Sequence, residues 1–326
     1  MFKIGILGPG NIAHKMAETI RQMDGIQIQA VASRSLDRAR HFAQQYGIER
    51  AYGSYEALAA DEDIDLVYIA TPHSCHCDHM KLCINYRKNI LCEKAFTLNA
   101  SQAREVLLRA ETAGVLCAEA IWTRYMPSRN MIQDIMESGV IGRPISLTAN
   151  LGYVLTGVER VMNPSLGGGA LLDIGVYAIN FALMVFGEDY DTIISKAIFN
   201  RRGADVSDGI TITWEDGRIA VLHASAVSVT DRRGVIYGDR GFLVIHNINN
   251  CEGIDVYDLD RQLIRSYHVP EQITGFEYQV KASRQAVEEG SLECPQMPHR
   301  STLEVMEIMD EIRRQWRYQY PCEMSM

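Results

Sequence analysis

The chain has no apolar run of the roughly 18 residues that a membrane-spanning helix requires. It has no basic surplus either: 32 Lys and Arg stand against 41 Asp and Glu, for a formal net charge of −9. The first absence argues against a membrane partner. The second argues against a face that neutralises nucleic-acid phosphates. No C-x-x-C pair occurs, and Met1-Phe2-Lys3 runs straight into the strand-like Ile4-Gly5-Ile6-Leu7, without a leader pattern. The eight cysteines therefore read as reduced thiols, and a cytoplasmic protein is the expectation.

At 326 residues, 47% of them apolar, the chain is long for one core and suits two domains. A dinucleotide-binding domain is expected over 1–121 and a substrate and oligomerisation domain over 122–326. The opening "FKIGILGPGNIAHKMAETI" gives a short apolar run, a glycine turn, then apolar residues at helical spacing. Gly8 permits the turn, Gly10 lets backbone N–H groups approach a pyrophosphate, and Ala13 keeps the helix close to the sheet. Pro9, Asn11 and Ile12 complete the G-x-G-x-x-A loop. The pattern is weak alone and gains force from following a strand; a purely structural turn is the alternative.

A further absence is more specific. After the second strand-like stretch, "IQIQAVA", come Ser33 and Arg34, and no acid precedes Asp37. An NAD-preferring site places Asp or Glu here for the ribose hydroxyls, whereas Ser and Arg suit a 2′-phosphate. NADP is therefore expected ahead of NAD, with Ser33, Arg34 and Arg38 as contacts; Arg38 lies one turn into a helix that Ser35 can cap. The stretches "DLVYIATP", "NILCEKAF" and "VLCAEAI" alternate with helical ones, which predicts a parallel, doubly wound sheet.

Between strand and helix lies "HSCHCDH", with His73, Cys75, His76, Cys77 and His79 within seven positions. Residues so tightly spaced cannot converge tetrahedrally on one ion, and nothing elsewhere completes a zinc site, so no metal is expected. The segment starts at the strand's carboxyl edge, where such sheets bind ligands, so Thr71, Pro72, His73 and His76 are candidates to line the cofactor.

With "GPGNIA", "ATPHSCH" and "CEKAF" in order, the chain resembles the glucose–fructose oxidoreductase / inositol dehydrogenase / rhizopine-catabolism (Gfo/Idh/MocA) family over nearly its whole length. "EAIWTRYMP" and "GGGALLDIGVY" look most like its dihydrodiol dehydrogenase and NADP-dependent xylose dehydrogenase branch. The resemblance implies an α/β protein: an N-terminal Rossmann domain, then an α/β domain whose large, mainly antiparallel sheet serves a homodimer or homotetramer. It implies a small sugar, polyol or diol substrate. It also implies that Lys94 of Glu93-Lys94 sits beside the nicotinamide, although Ala95 stands where the family has proline. A non-catalytic, NADP-responsive binding protein of the same fold is the alternative. The residues of the second half fit independently. "GITITWEDGRIAVLHASAV" reads as a hairpin about Asp216-Gly217, and two more such pairs follow.

The chemistry is expected at Gly167 to Tyr177. The glycines would admit close approach and unusual backbone angles before a helix, and Asp173 and Tyr177, four apart, would share one helical face. Alcohol oxidation needs a group that moves a proton near working pH. A free tyrosine, with a pKa near 10, is about 4 kcal/mol away; a lysine about 4 Å off, at an effective dielectric near 20, supplies an interaction of that order. Tyr177 is thus the expected acid–base group, Lys94 its electrostatic partner or the proton carrier itself, and Asp173 a hydroxyl acceptor or a support for Lys94. Trp122 is placed to cover the nicotinamide or substrate, Arg124 to bind oxygens, and Tyr153 is a further substrate contact.

Overall fold

Parallel strands covered on both faces must be apolar throughout. The first strands of the chain meet that condition. In the computed structural model, which describes residues 1–324, β1 (Phe2–Leu7) is followed by α1 (Asn11–Ile20), β2 (Ile26–Ala32), α2 (Leu36–Tyr46) and β3 (Arg50–Tyr52). The alternation continues through α3 (Tyr55–Ala59), β4 (Leu66–Ile69), α4 (His73–Asn85), β5 (Asn89–Glu93), α5 (Ala100–Ala113) and β6 (Cys117–Ala120). The six strands pair in the order β3-β2-β1-β4-β5-β6, all parallel, so the order reverses beside β1. Local signals set the helix ends. Ser35, Ser54 and Asn99 accept the backbone N–H groups of Arg38, Ala57 and Gln102, while Gly47 and Gly114 close α2 and α5 in the left-handed region.

The second group of elements starts with a 3₁₀ turn at Trp122–Arg124 and continues with α6 (Pro127–Glu137), β7 (Pro144–Gly152) and the short α7 (Glu159–Met162). A π-helical turn, Leu171–Gly175, leads directly into α8 (Val176–Phe186). The strands β8 (Thr192–Phe199), β9 (Asp205–Thr213), β10 (Ile219–Ser225), β11 (Gly234–Gly238), β12 (Gly241–His246), β13 (Gly253–Asp258) and β14 (Leu263–Tyr267) follow, then α9 (Glu277–Glu289) and α10 (His299–Trp316). The eight-stranded sheet runs β14-β13-β12-β11-β7-β10-β9-β8. All its pairs are antiparallel except β7 with β10, and the predicted hairpin pairs β9 with β10. α8 is apolar all round and its first turns are buried all round, as such a helix must be. On the opposite face of the sheet Ile194, Ile198, Val221 and Tyr237 are exposed.

The chain divides into two compact units, Met1–Trp122 with Gln272–Leu303, and Thr123–Glu271 with the residues from Glu304 onward. Residues 272–303, assigned from sequence to the second domain, thus pack with the first. The Glu277 carboxylate accepts the N–H groups of Ile273, Thr274 and Gly275, and Thr274 Oγ1 lies 2.6 Å from Thr19 Oγ1 on α1. No helix among the described residues is long and apolar enough to cross a membrane.

Candidate active site

In the first unit the glycine turn lies between the end of β1 and α1. Gly8 has φ +99, and a Cβ there would lie 2.9 Å from Thr71 Cγ2, so the protein itself demands this glycine. Gly10 differs. Its backbone is extended, and a Cβ would meet only Ala70 O at 3.7 Å. No side chain caps α1; the Ala13 N–H turns to Gly10 O at 3.0 Å, and the N–H groups of Asn11 and Ile12 are left for a ligand. Space at Gly10 and an uncapped helix N-terminus fit a dinucleotide pyrophosphate.

At the end of β2, Ser33 is buried and Arg34 and Arg38 are exposed. Tyr55 stands beside Arg34: burial pushes its phenol pKa up while the Arg34 charge pulls it down. The Tyr55 ring meets His79 edge-on at 4.6 Å, and His79 Nδ1 lies 2.9 Å from Thr71 Oγ1. Asp37, in the first turn of α2, is exposed and turns to Arg40 at 4.0 Å. The corner therefore presents two guanidinium groups and a phenol, and the first-turn acid of α2 is turned to Arg40. Tyr55 and His79 were not singled out from sequence for this corner, because 21 and 45 residues separate them from Arg34.

The histidines of "HSCHCDH" turn to backbone. His73 Nε2 donates to Lys94 O at 3.1 Å. The ring nitrogens of His76 lie 2.9 Å from Ala95 O and 2.8 Å from Thr71 O, and burial pushes its pKa down to about 4. A neutral ring donates to only one of these carbonyls at a time. The Lys94–Ala95 peptide is cis. Two histidines of α4 thus latch the segment that carries Lys94. Glu93 is buried and its carboxylate accepts the Tyr68 hydroxyl. The Trp122 and Phe276 rings meet at a tilt of 34° with centres 4.6 Å apart, and Lys15 Nζ lies 5.1 Å and 4.9 Å from the two ring centres. Burial lowers the Lys15 pKa, leaving a cation of α1 over an aromatic pair. Lys15 and Phe276 carry no local sequence signal for this role.

In the second unit Asp173 and Tyr177 are both buried, at 7% and 9% exposure. Asp173 lies inside the π-helical turn and Tyr177 in the first turn of α8, so the wider turn, not a continuous α-helix, sets their relative direction. Arg160 of α7 donates to both Asp173 oxygens, at 2.8 Å and 3.2 Å. This two-pronged pair fixes the carboxylate plane, and nothing local in the "TGVERVMNPSL" loop signals it. Arg124 is buried and its Nε donates to Asn180 Oδ1 at 2.7 Å; Asn180 in turn donates to Val176 O. Arg124 is thereby tied to the same end of α8. The Tyr153 hydroxyl lies 3.1 Å from Asn249 Nδ2, and the Tyr153 N–H donates to Ser225 O.

The three glycines have reasons of their own. Gly167, φ +69, ends a 3₁₀ turn in the left-handed region. A Cβ on Gly168 would lie 2.4 Å from Arg160 O, 2.6 Å from Asn163 O and 2.7 Å from Val161 O. At Gly169, φ +144, it would lie 2.0 Å from Asp205 Oδ1. The expected freedom of backbone angle holds, but the close approach at Gly168 and Gly169 is to the unit's own backbone and to Asp205 rather than to a ligand. A cavity of about 470 Å³ in this unit is lined by Val185, Phe186 and Arg218 at the far end of α8.

A parallel sheet in this strand order, with an open phosphate turn at its switch point, defines an NAD(P)-binding oxidoreductase domain. Residues 2–121 match the model of the oxidoreductase family with an NAD-binding Rossmann fold, and 130–244 that of the GFO/IDH/MocA C-terminal domain. The chain belongs to the Gfo/Idh/MocA family. It is 34% identical to a trans-1,2-dihydrobenzene-1,2-diol dehydrogenase of Danio rerio, covering 95% of this chain and 96% of that one. The corresponding enzyme of Xenopus tropicalis is 32% identical, over 98% and 99%. Among solved structures, a 3-ketoreductase of Actinomadura kijaniata in complex with TDP-benzene and NADP, in an open conformation, superposes with a TM-score of 0.86 at 25% identity, covering 96% of each chain. The aldose-aldose oxidoreductase of Caulobacter crescentus, complexed with glycerol, shares the fold with a TM-score of 0.87 at 19% identity, over 97% of each.

Proposed function

We propose that the enzyme moves a hydride between NADP(H) and a secondary alcohol, or its carbonyl, on a small sugar, cyclitol or trans-dihydrodiol. The observation that carries this reading is the buried Asp173 and Tyr177 at the head of α8, with Asp173 held by Arg160, in a chain whose relatives are dihydrodiol dehydrogenases over nearly their whole length. The two guanidinium groups beside Tyr55 support NADP over NAD, since a 2′-phosphate suits them and Ser33-Arg34 stand where an NAD site places an acid. NADP, when bound, supplies or accepts the hydride at its nicotinamide.

Tyr177 takes the proton from the substrate hydroxyl, or returns it to the carbonyl oxygen. Lys94 orients that oxygen and, as a cation, favours the ionised phenol. Asp173, kept in one plane by Arg160, accepts a hydrogen bond from a neighbouring substrate hydroxyl, which suits a diol or sugar better than a simple alcohol. Arg124 supports the same end of α8, and Trp122 with Phe276 forms a buried aromatic pair beside Lys15.

Steady-state kinetics of Tyr177→Phe test the assignment. Loss of an acid–base group lowers kcat by roughly 10²- to 10⁴-fold while cofactor affinity survives; wild-type turnover in the variant refutes it. The outward sheet face, with Ile194, Ile198, Val221 and Tyr237 exposed, supports a homo-oligomer through that sheet. Ile198→Glu is expected to reduce the mass measured by sedimentation to that of one chain; an unchanged mass places the interface elsewhere.

A further inference from the structure

Two acids of the second unit lie outside the chemistry described so far. Asp205 opens β9 and Asp208 follows three residues later, and their exposures are 0% and 1%. Asp205 Oδ2 accepts the N–H of Leu171, the first residue of the π-helical turn, at 2.6 Å. Its other oxygen fills the space that a Cβ on Gly169 would need. Among the described residues, Asp205 Oδ1 and both oxygens of Asp208 have no hydrogen-bond partner.

Among the described residues no cation is bonded to either carboxylate. Asp208 is flanked in register by Ala197 on β8 and Ala224 on β10, which carry no charge. From the C-terminal segment the pair is faced by Tyr318 and Tyr320, whose phenols are pushed up by burial and by Asp205. Arg313 is nearby but committed to Glu323 at 2.7 Å and Asp310 at 2.6 Å; Cys322 lies beside Tyr318. Two ionised carboxylates cannot persist side by side in such an interior. Burial holds both above the usual carboxylate range, Asp208 further because it also faces the charge of Asp205. A proton held on Asp208 and directed at Asp205 would supply the donor that Asp205 Oδ1 lacks.

We propose that Asp205 and Asp208 share one proton and act as positioning residues, clamping the Gly167–Gly169 turn to the start of the π-helical turn and so setting where Asp173 and Tyr177 project. The proposal rests on the reading that Asp173 and Tyr177 serve the reaction. The charged carboxylate caps the Leu171 N–H, and the protonated neighbour keeps the charge in place. Uptake of a second proton weakens the cap, and loss of the shared one sets two like charges against each other.

Hydrogen exchange of residues 167–177, corrected for intrinsic rates, tests the clamp without relying on turnover. In Asp205→Asn, exchange of this segment is expected to rise about tenfold or more at neutral pH and to lose its dependence on pH. Asp208→Asn keeps a donor and leaves the exchange within about twofold, whereas Asp208→Ala removes it and raises the exchange. Asp205→Asn should also lower kcat about tenfold and abolish the acid limb of its pH profile, with NADPH affinity retained, a split that general destabilisation does not produce. If Asp205→Asn fails to fold, the wild-type segment decides: its exchange must quicken as the pH falls through the raised carboxylate range. Wild-type exchange in Asp205→Asn, a flat wild-type profile, or equal damage from Asp208→Asn and Asp208→Ala overturns the proposal. Full activity of Tyr177→Phe overturns the acid–base reading instead, and the exchange result then stands by itself.

Discussion

Gly169→Ala separates steric necessity from catalytic convenience at the three glycines. An alanine at φ +144 holds a conformation that L-residues rarely adopt, at a cost of about 1–3 kcal/mol. Its Cβ would also stand 2.0 Å from Asp205 Oδ1, and that carboxylate cannot swing away without breaking its bond to Leu171 N–H. Such overpacking adds about 1–3 kcal/mol, so the loss is about 2–6 kcal/mol in all. Gly168→Ala meets three carbonyl oxygens but no φ penalty, which points to about 1–3 kcal/mol. Gly167→Asn sits at φ +69, where asparagine is tolerated, and should cost about 1 kcal/mol or less. Urea unfolding of the three variants gives the ranking. Repeating Gly169→Ala in an Asp205→Ala background removes the clash and leaves the strain, so a coupling of about 1–3 kcal/mol is expected. A Gly169→Ala cost below about 1 kcal/mol, or the same cost in both backgrounds, refutes the steric account.

Two further outcomes follow from the first unit. Arg34→Ala removes a charge-assisted contact worth about 1.5–3 kcal/mol, so NADPH affinity in a fluorescence titration should fall about ten- to a hundredfold while NADH affinity stays level; an unchanged preference refutes the 2′-phosphate assignment. His76 is buried with its pKa depressed to about 4, so the folded state binds fewer protons than the unfolded chain between that value and 6.5. Its contribution is complete above about 6.5 and lost as the pH falls toward 4, to an upper bound of about 3 kcal/mol. Unfolding free energies of wild type and His76→Gln should converge across that window, and parallel curves refute the neutral buried ring.

Much of the architecture was legible because its signals are local. The glycine turn after β1, the caps at Ser35 and Asn99, the stop at Gly114 and the hairpin at Asp216-Gly217 each need only a few adjacent residues. The spacing of Asp173 and Tyr177 was visible too, but it implied a regular α-helix, and the π-helical turn that sets their directions left no mark in the apolar pattern.

Composition and short-range pattern thus determined the element types, the parallel and antiparallel sheets, the phosphate turn and the identity of the side chains available for chemistry. Tertiary structure decided what those side chains are attached to. Arg160 meets Asp173 across 13 residues, His73 meets the Lys94 carbonyl across 21, and Asp205 reaches Leu171 across 34. Phe276 reaches Trp122 across a still longer stretch of chain. None of these pairs lies on one helix face or one strand register, the only neighbour relations that sequence periodicity encodes. They form because buried charges and orphan donors must find partners wherever packing brings the chain together. For that reason Gly169 is legible in the sequence as a glycine, and only the fold shows that Asp205 is what requires it.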